Sequence, residues 1–407
     1  MPAALFQPTS KEDVAKFMQL VKPFIQDGKF AFAIRGGGQN PLPYCANIEK
    51  PGITLDLTLL NGINVKDGCI TIGGGARWGA VFDALDGTGF GVSGNRSSRA
   101  GIRGLALQGG LSFFSSREGF VSDNILNYEI VLASGEIVNA NANENFDLWL
   151  ALRGGSNNFG IGGSVYYFGP SFPGQIDALV AELQKEDATE ETHLMISTGF
   201  AAMFGPQPMC QNQVYYTKEV EKPAVLEPFV SITPQIDSMS SMRMLSKCSY
   251  MNVTVKADAA TLKTASEFYS SAVGAINTTD GLICSFTLQP YALSCLKKSV
   301  SQGGNSLGLD PKDGPLVSVL LLTYWDKKED DDKIAKTMRG VLEDIRKDSK
   351  EKGTAVPFES LNYAYQFQDP IGSYGEDNKK KLQEVSKKHD LEGIFQTAVP
   401  GGFKLFV

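Results

Sequence analysis

Histidine is nearly absent from this chain: its 407 residues include two, His193 in a polar run and His389 in a lysine-rich tail. That scarcity argues against a histidine-rich metal centre. It argues equally against a Ser-His-Asp or Cys-His nucleophile, because the usual general base near neutral pH is missing. Cysteine is sparse and scattered. Cys45, Cys69, Cys210, Cys248, Cys284 and Cys295 form no CxxC pair, so neither a zinc site nor a disulfide framework is indicated; they are expected to be buried small hydrophobes. No window reaches the ~18 apolar residues of a membrane span, and MPAALFQPTSKEDVAKF lacks the basic, apolar and small-residue zones of a signal peptide, so a cytoplasmic protein is expected. With a net charge of −7 and no long block of Lys or Arg, nucleic acid and membrane are not expected partners. A small neutral or hydrophobic substrate is. Finally, there is no GxxxxGK[ST], and none of the glycines falls in a strand-GxGxxG-helix unit.

What the chain does have is glycine, 43 residues of it. Glycine admits close backbone approach, either to a ligand or between short strands in tight turns, and spacing alone leaves both open. Ser10 before an apolar spacing of Val14, Phe17, Met18 and Val21 predicts a capped amphipathic helix. Strands are predicted from Phe30 to Ile34, at Ile53 to Leu57 and at Cys69 to Ile72, with a helix from Ala80 to Leu85. From Phe90 to Ser116 the density of glycine predicts a loop system, since a glycine inside a regular element costs about 0.5–1 kcal/mol relative to alanine. A hairpin about Gly135 and a helix from Asp147 to Arg153 follow, then the glycine-rich GGSNNFGIGG. The segment from about residue 176 changes character, with strands at Val214 to Tyr216 and Gly314 to Tyr324 and helices at Ala260 to Ala272 and Asp330 to Lys347; another helix is predicted at Lys379 to Lys388.

Taken together, IRGGGQNP, GITLDLTLLNGI, IGGGARWGAVFDAL, the loop from GVSGNRSSRAGIRGLALQGG to EIVNANANEN, DLWLALRGGSNNFGI, QGGNSLGLDPKDGPLV, TYWDKKEDDD, LNYAYQFQDPIGSYGEDN and FQTAVPGGFKL resemble fungal berberine bridge enzyme-like, FAD-linked oxidoreductases of the vanillyl-alcohol oxidase type. The resemblance covers nearly the whole chain. It implies an α+β fold, a two-part PCMH-type FAD-binding domain plus a substrate domain with an antiparallel sheet backed by helices. The implied domains are 1–175, binding FAD; 176–355, holding substrate; and 356–407, a C-terminal segment completing the FAD-binding domain. By position, Arg35, Gly36, Gly37, Gly38, Gln39 and Asn40 border the flavin ring. Gly94, Ser97, Gly101, Arg103, Gly104, Leu105, Gln108 and Gly109 surround the pyrophosphate, and Gly119, Asp123, Asn124, Ile137 and Val138 the ribose and adenine.

Three departures from the family pattern bear on chemistry. A histidine bonded covalently to the flavin usually stands where Gln39 does, and glutamine has no nucleophilic nitrogen; the second attachment cysteine aligns with Ser97. Covalent FAD is therefore excluded through these positions, leaving FAD bound non-covalently or lost. Arg103 and Gln108 stand where the family prefers glycine. If their backbones need positive φ, each is strained by roughly 1–3 kcal/mol. Arg103 then either pairs with a phosphate or fills the space a phosphate has vacated. The family's starting signal and first strand also have no counterpart before Ser10, in keeping with an intracellular protein.

For catalysis, Asn362 and Tyr363 match a family pair near the flavin, Asn362 also contacting the cofactor and the tyrosine acting as base, although Ser360 replaces a tyrosine usually found before them. Glu359 and Tyr365 are weaker candidates by proximity. Tyr215, Tyr216, Tyr250, Phe286, Gln289 and Tyr291 are candidates for a pocket lining, against the alternative of simple core. The expected function is an FAD-linked oxidoreductase of fungal secondary metabolism, oxidising or cyclising a small hydrophobic metabolite of polyketide or terpene type, with no metal. A redox-neutral isomerase or Diels-Alderase-like cyclase on the same scaffold is the alternative.

Overall fold

The computed structural model describes residues 2–26, 30–40, 42–49, 52–66, 68–154, 165–168, 172–185, 188–201, 208–216, 223–230, 235–236 and 247–406. The chain divides into two compact units, one of residues 1–161, 299–308 and 371–407, the other of 162–298 and 309–370.

Contrary to the expectation that no strand precedes Ser10, the first unit opens with β1 (Ala4–Phe6), then α1 (Lys11–Gln26), β2 (Phe32–Arg35) and β3 (Ile53–Asp56), with which β1 pairs in parallel. Ser10 and Asp13 cap α1 reciprocally: the Asp13 N–H donates to Ser10 Oγ at 3.1 Å and the Ser10 N–H to Asp13 Oδ2 at 3.0 Å. The apolar face of α1, with Phe17, Met18 and Val21, covers a parallel sheet of order β1-β3-β2. Next come β4 (Ile63–Lys66) and β5 (Cys69–Ile72), α2 (Trp78–Leu85), α3 (Ile102–Leu107), α4 (Ser115–Glu118), the hairpin β6 (Asn127–Val131) and β7 (Ile137–Asn141), and α5 (Phe146–Leu152). Gly135 turns that hairpin at φ +82, backbone a side chain resists. The run from Phe90 to Ser116 departs from the loop expected of it. It includes α3, because Ile102, Leu105 and Ala106 fall on one buried stripe whose packing outweighs the cost of Gly104.

The second unit is a sheet with helices on one face. It contains β8 (Val165–Phe168), α6 (Phe172–Leu183), β9 (Thr192–Ala201), β10 (Met209–Tyr216), α7 (Glu227–Val230), β11 (Gln235–Ile236), β12 (Lys247–Lys256), α8 (Ala259–Ile276), β13 (Ile283–Tyr291), α9 (Leu293–Ser301, whose last turn joins the first unit), β14 (Leu316–Trp325), α10 (Asp331–Glu351) and β15 (Ala355–Val356). Its described strands run antiparallel in the order β11-β8-β10-β9-β13-β14-β12-β15. Alternation divides each strand between two faces. Met251, Val253, Phe286, Leu288, Val319 and Leu321 pack with Ile176, Leu262 and Met338 of the helices. Tyr250, Asn252, Gln289, Ser318 and Tyr324 occupy the alternate positions. Phe286 and Tyr216 belong to the helix-side core, so these two leave the set of pocket-lining candidates.

The chain then returns to the first unit with α11 (Glu376–His389) and α12 (Ile394–Thr397), and Ile394 and Ala398 are buried against Phe17 and Phe32. The units run differently from the expected domains. Residues 299–308 join the first unit because Asn305 donates to Asp123 at 3.0 Å and the Ser306 N–H to the Arg153 carbonyl at 2.9 Å. Residues 356–370 stay with the second because Ser360 and Gln368 are bonded to β12. Cys45, Cys210, Cys284 and Cys295 are buried, whereas Cys69, on the short β4-β5 hairpin, is exposed. From Gly155 onward, GGSNNFGIGG lies outside the described residues.

Candidate active site

Strand β2 releases the first glycine loop at Arg35, whose Nε donates to the Ala46 carbonyl at 3.2 Å and whose Nη1 lies 3.4 Å from the Asp56 carboxylate. Gly37 and Gly101 then meet backbone to backbone: a methyl group on either would lie 2.6 Å from the Cα of the other. Arg77 holds this contact by donating to the Gly37 carbonyl at 3.2 Å and the Arg99 carbonyl at 2.5 Å. The Gly101 N–H donates to Gln39 Oε1 at 3.3 Å. At Gly94 the Trp78 ring occupies the place of a side chain. Glycine at 37, 94 and 101 is therefore required by the chain's own packing, whatever binds nearby. Asn40 accepts the Leu42 N–H at 2.9 Å and Ser97 Oγ the Arg99 N–H at 3.3 Å, so both side chains shape their own loops.

Arg103, Gly104 and Leu105 lie within α3, and Gln108 ends it at φ −114; the left-handed turn falls on Gly109 and Gly110. Neither Arg103 nor Gln108 has the positive φ that would strain it, so that expectation is corrected. Leu105 and Gln108 are buried. Arg103 is half-buried and lines a cavity of about 1830 Å³ together with Ile34, Leu57, Trp78, Ala106 and Tyr128. That exceeds the roughly 300–1,000 Å³ of an ordinary small-ligand pocket. Burial pushes the Arg103 guanidinium below its ordinary pKa.

The residues assigned to ribose and adenine close their own loop. Asn124 Nδ2 donates to the Glu118 and Phe120 carbonyls, each at 2.8 Å. Asp123 accepts from the Phe120 N–H at 2.9 Å and from Asn305, and burial pushes its carboxyl pKa up. A side chain on Gly119 would meet the same carboxylate. Ile137 and Val138 begin β7, paired with Val131 and Ile130.

Within the second unit, Asn362 and Tyr363 sit on the short turn Leu361–Tyr363, and Asn252 of β12 positions that turn. Asn252 Nδ2 donates to the Ser360 carbonyl at 2.9 Å, and its Oδ1 accepts the Ser360 N–H at 2.7 Å. Gln368 bonds both backbone groups of Asn252, at 3.2 and 2.8 Å. The Tyr363 hydroxyl donates to Gln289 Oε1 at 3.1 Å, and its ring stands edge-on to Tyr250, 6.5 Å between centroids. Tyr250 and Tyr324 share a hydroxyl bond of 3.1 Å, and burial pushes both phenols up, so each stays a proton-bearing group. The Asn362 amide is buried and makes no hydrogen bond among the described residues. Glu359 is ion-paired with Arg346 of α10; burial pushes its carboxyl up and Arg346 opposes the shift. Tyr365 packs at 5.8 Å on Phe367 among residues bordering the helix-side core. Tyr324, Asn252 and Gln368 escape the sequence reading. Tyr324 was accessible through its two-residue spacing from Leu322, whereas the long-range Asn252 and Gln368 pairing leaves no local pattern.

A family model described as "FAD binding domain" matches residues 2–141. The FAD-dependent monooxygenase FUP4 of Fusarium proliferatum is 31% identical over 446 residues, covering 99% of this chain and 85% of that protein. The bifunctional solanapyrone synthase of Alternaria solani is 28% identical over 433 residues, covering 99% and 82%. Among solved structures, the glucooligosaccharide oxidase of Acremonium strictum, described with a 6-S-cysteinyl, 8α-N1-histidyl FAD, superposes with a TM-score of 0.72 at 17% identity, covering 100% of this chain and 92% of that one. No described helix is long and apolar enough to cross a membrane.

Proposed function

This chain belongs to the fungal FAD-dependent monooxygenases and is an FAD-linked enzyme, and we propose that it oxidises a small hydrophobic metabolite with FAD held non-covalently. The observation that carries this reading is Gln39. Its amide takes the Gly101 N–H and offers no nucleophile at the position that resembles an attachment histidine. Serine at 97 likewise gives no thiolate for a cysteinyl link. FAD fits the first unit: the large cavity offers apolar walls at Ile34, Leu57 and Ile102 for flat rings, and Arg103 a positive charge for the diphosphate.

Bound FAD supplies the electron acceptor for a C–H bond of the substrate. The residues proposed to act with it are Tyr363 and Asn362. The bond to Gln289 Oε1 orients the Tyr363 hydroxyl, and Tyr363 is proposed to act as base toward a substrate hydroxyl as the phenolate, its own proton first passing to solvent and the substrate proton then taking its place. Asn362 brings an amide with free hydrogen-bonding capacity among the described residues. Glu359 is proposed as a support for the turn, since Arg346 engages its carboxylate. Tyr250 and Tyr324, aromatic groups of that sheet face, suit a largely apolar substrate of polyketide or terpene type bearing an oxygen.

Purified protein is expected to be yellow, and acid precipitation to release the chromophore into the supernatant. Colourless protein that takes up no added FAD overturns the reading. If such protein still converted a metabolite into a product of identical mass, redox-neutral isomerisation or cyclisation would replace it.

A further inference from the structure

Four basic chains, Lys11, Arg103, Arg117 and Lys404, line the cavity of the first unit, and three have partners. Lys11 meets Glu129 at 2.5 Å, Arg117 meets Glu118 at 2.7 Å, and Lys404 donates to the Phe395 carbonyl at 3.1 Å. Arg103 has neither a carboxylate nor another acceptor among the described residues. It is in the regular backbone of α3, and its Cβ lies 3.5 Å from where a Gly36 side chain would begin, so the stem abuts the first glycine loop. A shielded guanidinium without an anion is unfavourable, and its planar fork matches phosphate oxygens.

We propose that Arg103 is an ionic anchor for the diphosphate of the bound dinucleotide, supplying retention that a covalent bond at position 39 cannot. This rests on the FAD reading above. The opposing reading has Arg103 plug a vacated phosphate site, and the two have opposite consequences. An anchor lost weakens binding; a plug removed strengthens it.

The test titrates FAD, riboflavin and ADP into the full chain, freed of flavin by dialysis against bromide, following flavin fluorescence and, for ADP, heat. Arg103→Met keeps the bulk and removes the charge. It is expected to weaken FAD and ADP about 10- to 150-fold, the range of one charge-assisted hydrogen bond, and to leave riboflavin, which has no phosphate, unchanged. Arg103→Lys should restore part of the loss, and melting curves of the variants establish that they fold. Equal FAD affinity in Arg103→Met, or tighter FAD in Arg103→Gly, overturns the anchor while leaving the FAD reading intact. Wild-type protein that binds ADP through Arg103 but neither flavin overturns the FAD reading and leaves Arg103 a diphosphate site for another nucleotide; wild-type protein that binds none of the three overturns both.

Discussion

Two glycine α-carbons decide whether the first loop and the loop from residue 94 can lie together. The contact between Gly37 and Gly101 leaves no room for a methyl group, and the obstructing atoms are backbone, which cannot rotate aside. Gly101→Ala is expected to cost about 1–3 kcal/mol, read as a lower midpoint in thermal unfolding, and to disturb the Gly101 bond to Gln39. A midpoint unchanged from wild type would mean that the loops separate freely. Tyr363→Phe tests chemistry at the same scale. It removes one hydroxyl bonded to Gln289 and keeps the ring against Tyr250. Turnover should fall by about 10²–10⁴-fold, the usual contribution of general acid–base catalysis, with flavin content unchanged; full activity would remove Tyr363 from the proposed machinery. Single residues are also where the sequence is most and least legible. That Gln39 has no nucleophile is plain from its chemistry. That Arg103 is unstrained is not, because strain depends on φ, and φ at 103 is set by a helix whose buried stripe is obscured by surrounding glycines.

Strand β12 is the element that brings the tail to the sheet. Asn252 exchanges two hydrogen bonds with Ser360 and its backbone two more with Gln368, so a single strand position fixes the turn bearing Asn362 and Tyr363. Asn252→Ala leaves the buried Ser360 N–H without its partner, at about 1–3 kcal/mol, while the Ser360 carbonyl keeps only the Tyr363 N–H at 3.0 Å. A turn loosened in this way should lose kcat more than KM, and a variant with wild-type stability and turnover would contradict the clamp. Elements of this kind explain what the sequence conveys and what it conceals. Helices α1, α8 and α10 are legible because each presents an apolar stripe over four or more turns. In β9 the polar Thr198 interrupts the apolar series Leu194, Ile196 and Phe200, whereas in β12 and β13 Asn252 and Gln289 take the polar places of a regular alternation, so those two strands are legible from their pattern. Tyr215 and Tyr216, adjacent in sequence, necessarily point to opposite faces, and only the register shows which belongs to the core.

Across the whole molecule, the first unit is drawn from three separated stretches of chain, and one residue links two of them. The Arg153 guanidinium is buried, donates to the carbonyls of Gln302, Gly304, Asp123 and Ile125 at 2.9 to 3.2 Å, and stacks 3.5 Å over Trp149. The sequence shows an arginine after a helix and gives no hint that two of its acceptors lie about 150 residues downstream. Backbone carbonyls carry no residue identity, so such a pairing leaves no motif. Arg153→Met preserves much of the volume and the contact with Trp149 but deprives the Gln302, Gly304 and Asp123 carbonyls of this donor, the Ile125 carbonyl keeping the Trp149 Nε1–H at 3.0 Å. The expected loss is about 3–5 kcal/mol, from buried carbonyls that each lose a donor at about 1–3 kcal/mol, observed as a lower urea midpoint for the first unit. It should be accompanied by new protease cleavage within 299–308, because the segment then retains mainly the Asn305 and Ser306 bonds. Cleavage confined to other loops, at an unchanged midpoint, would show that those bonds suffice and that Arg153 is dispensable to the assembly of the unit.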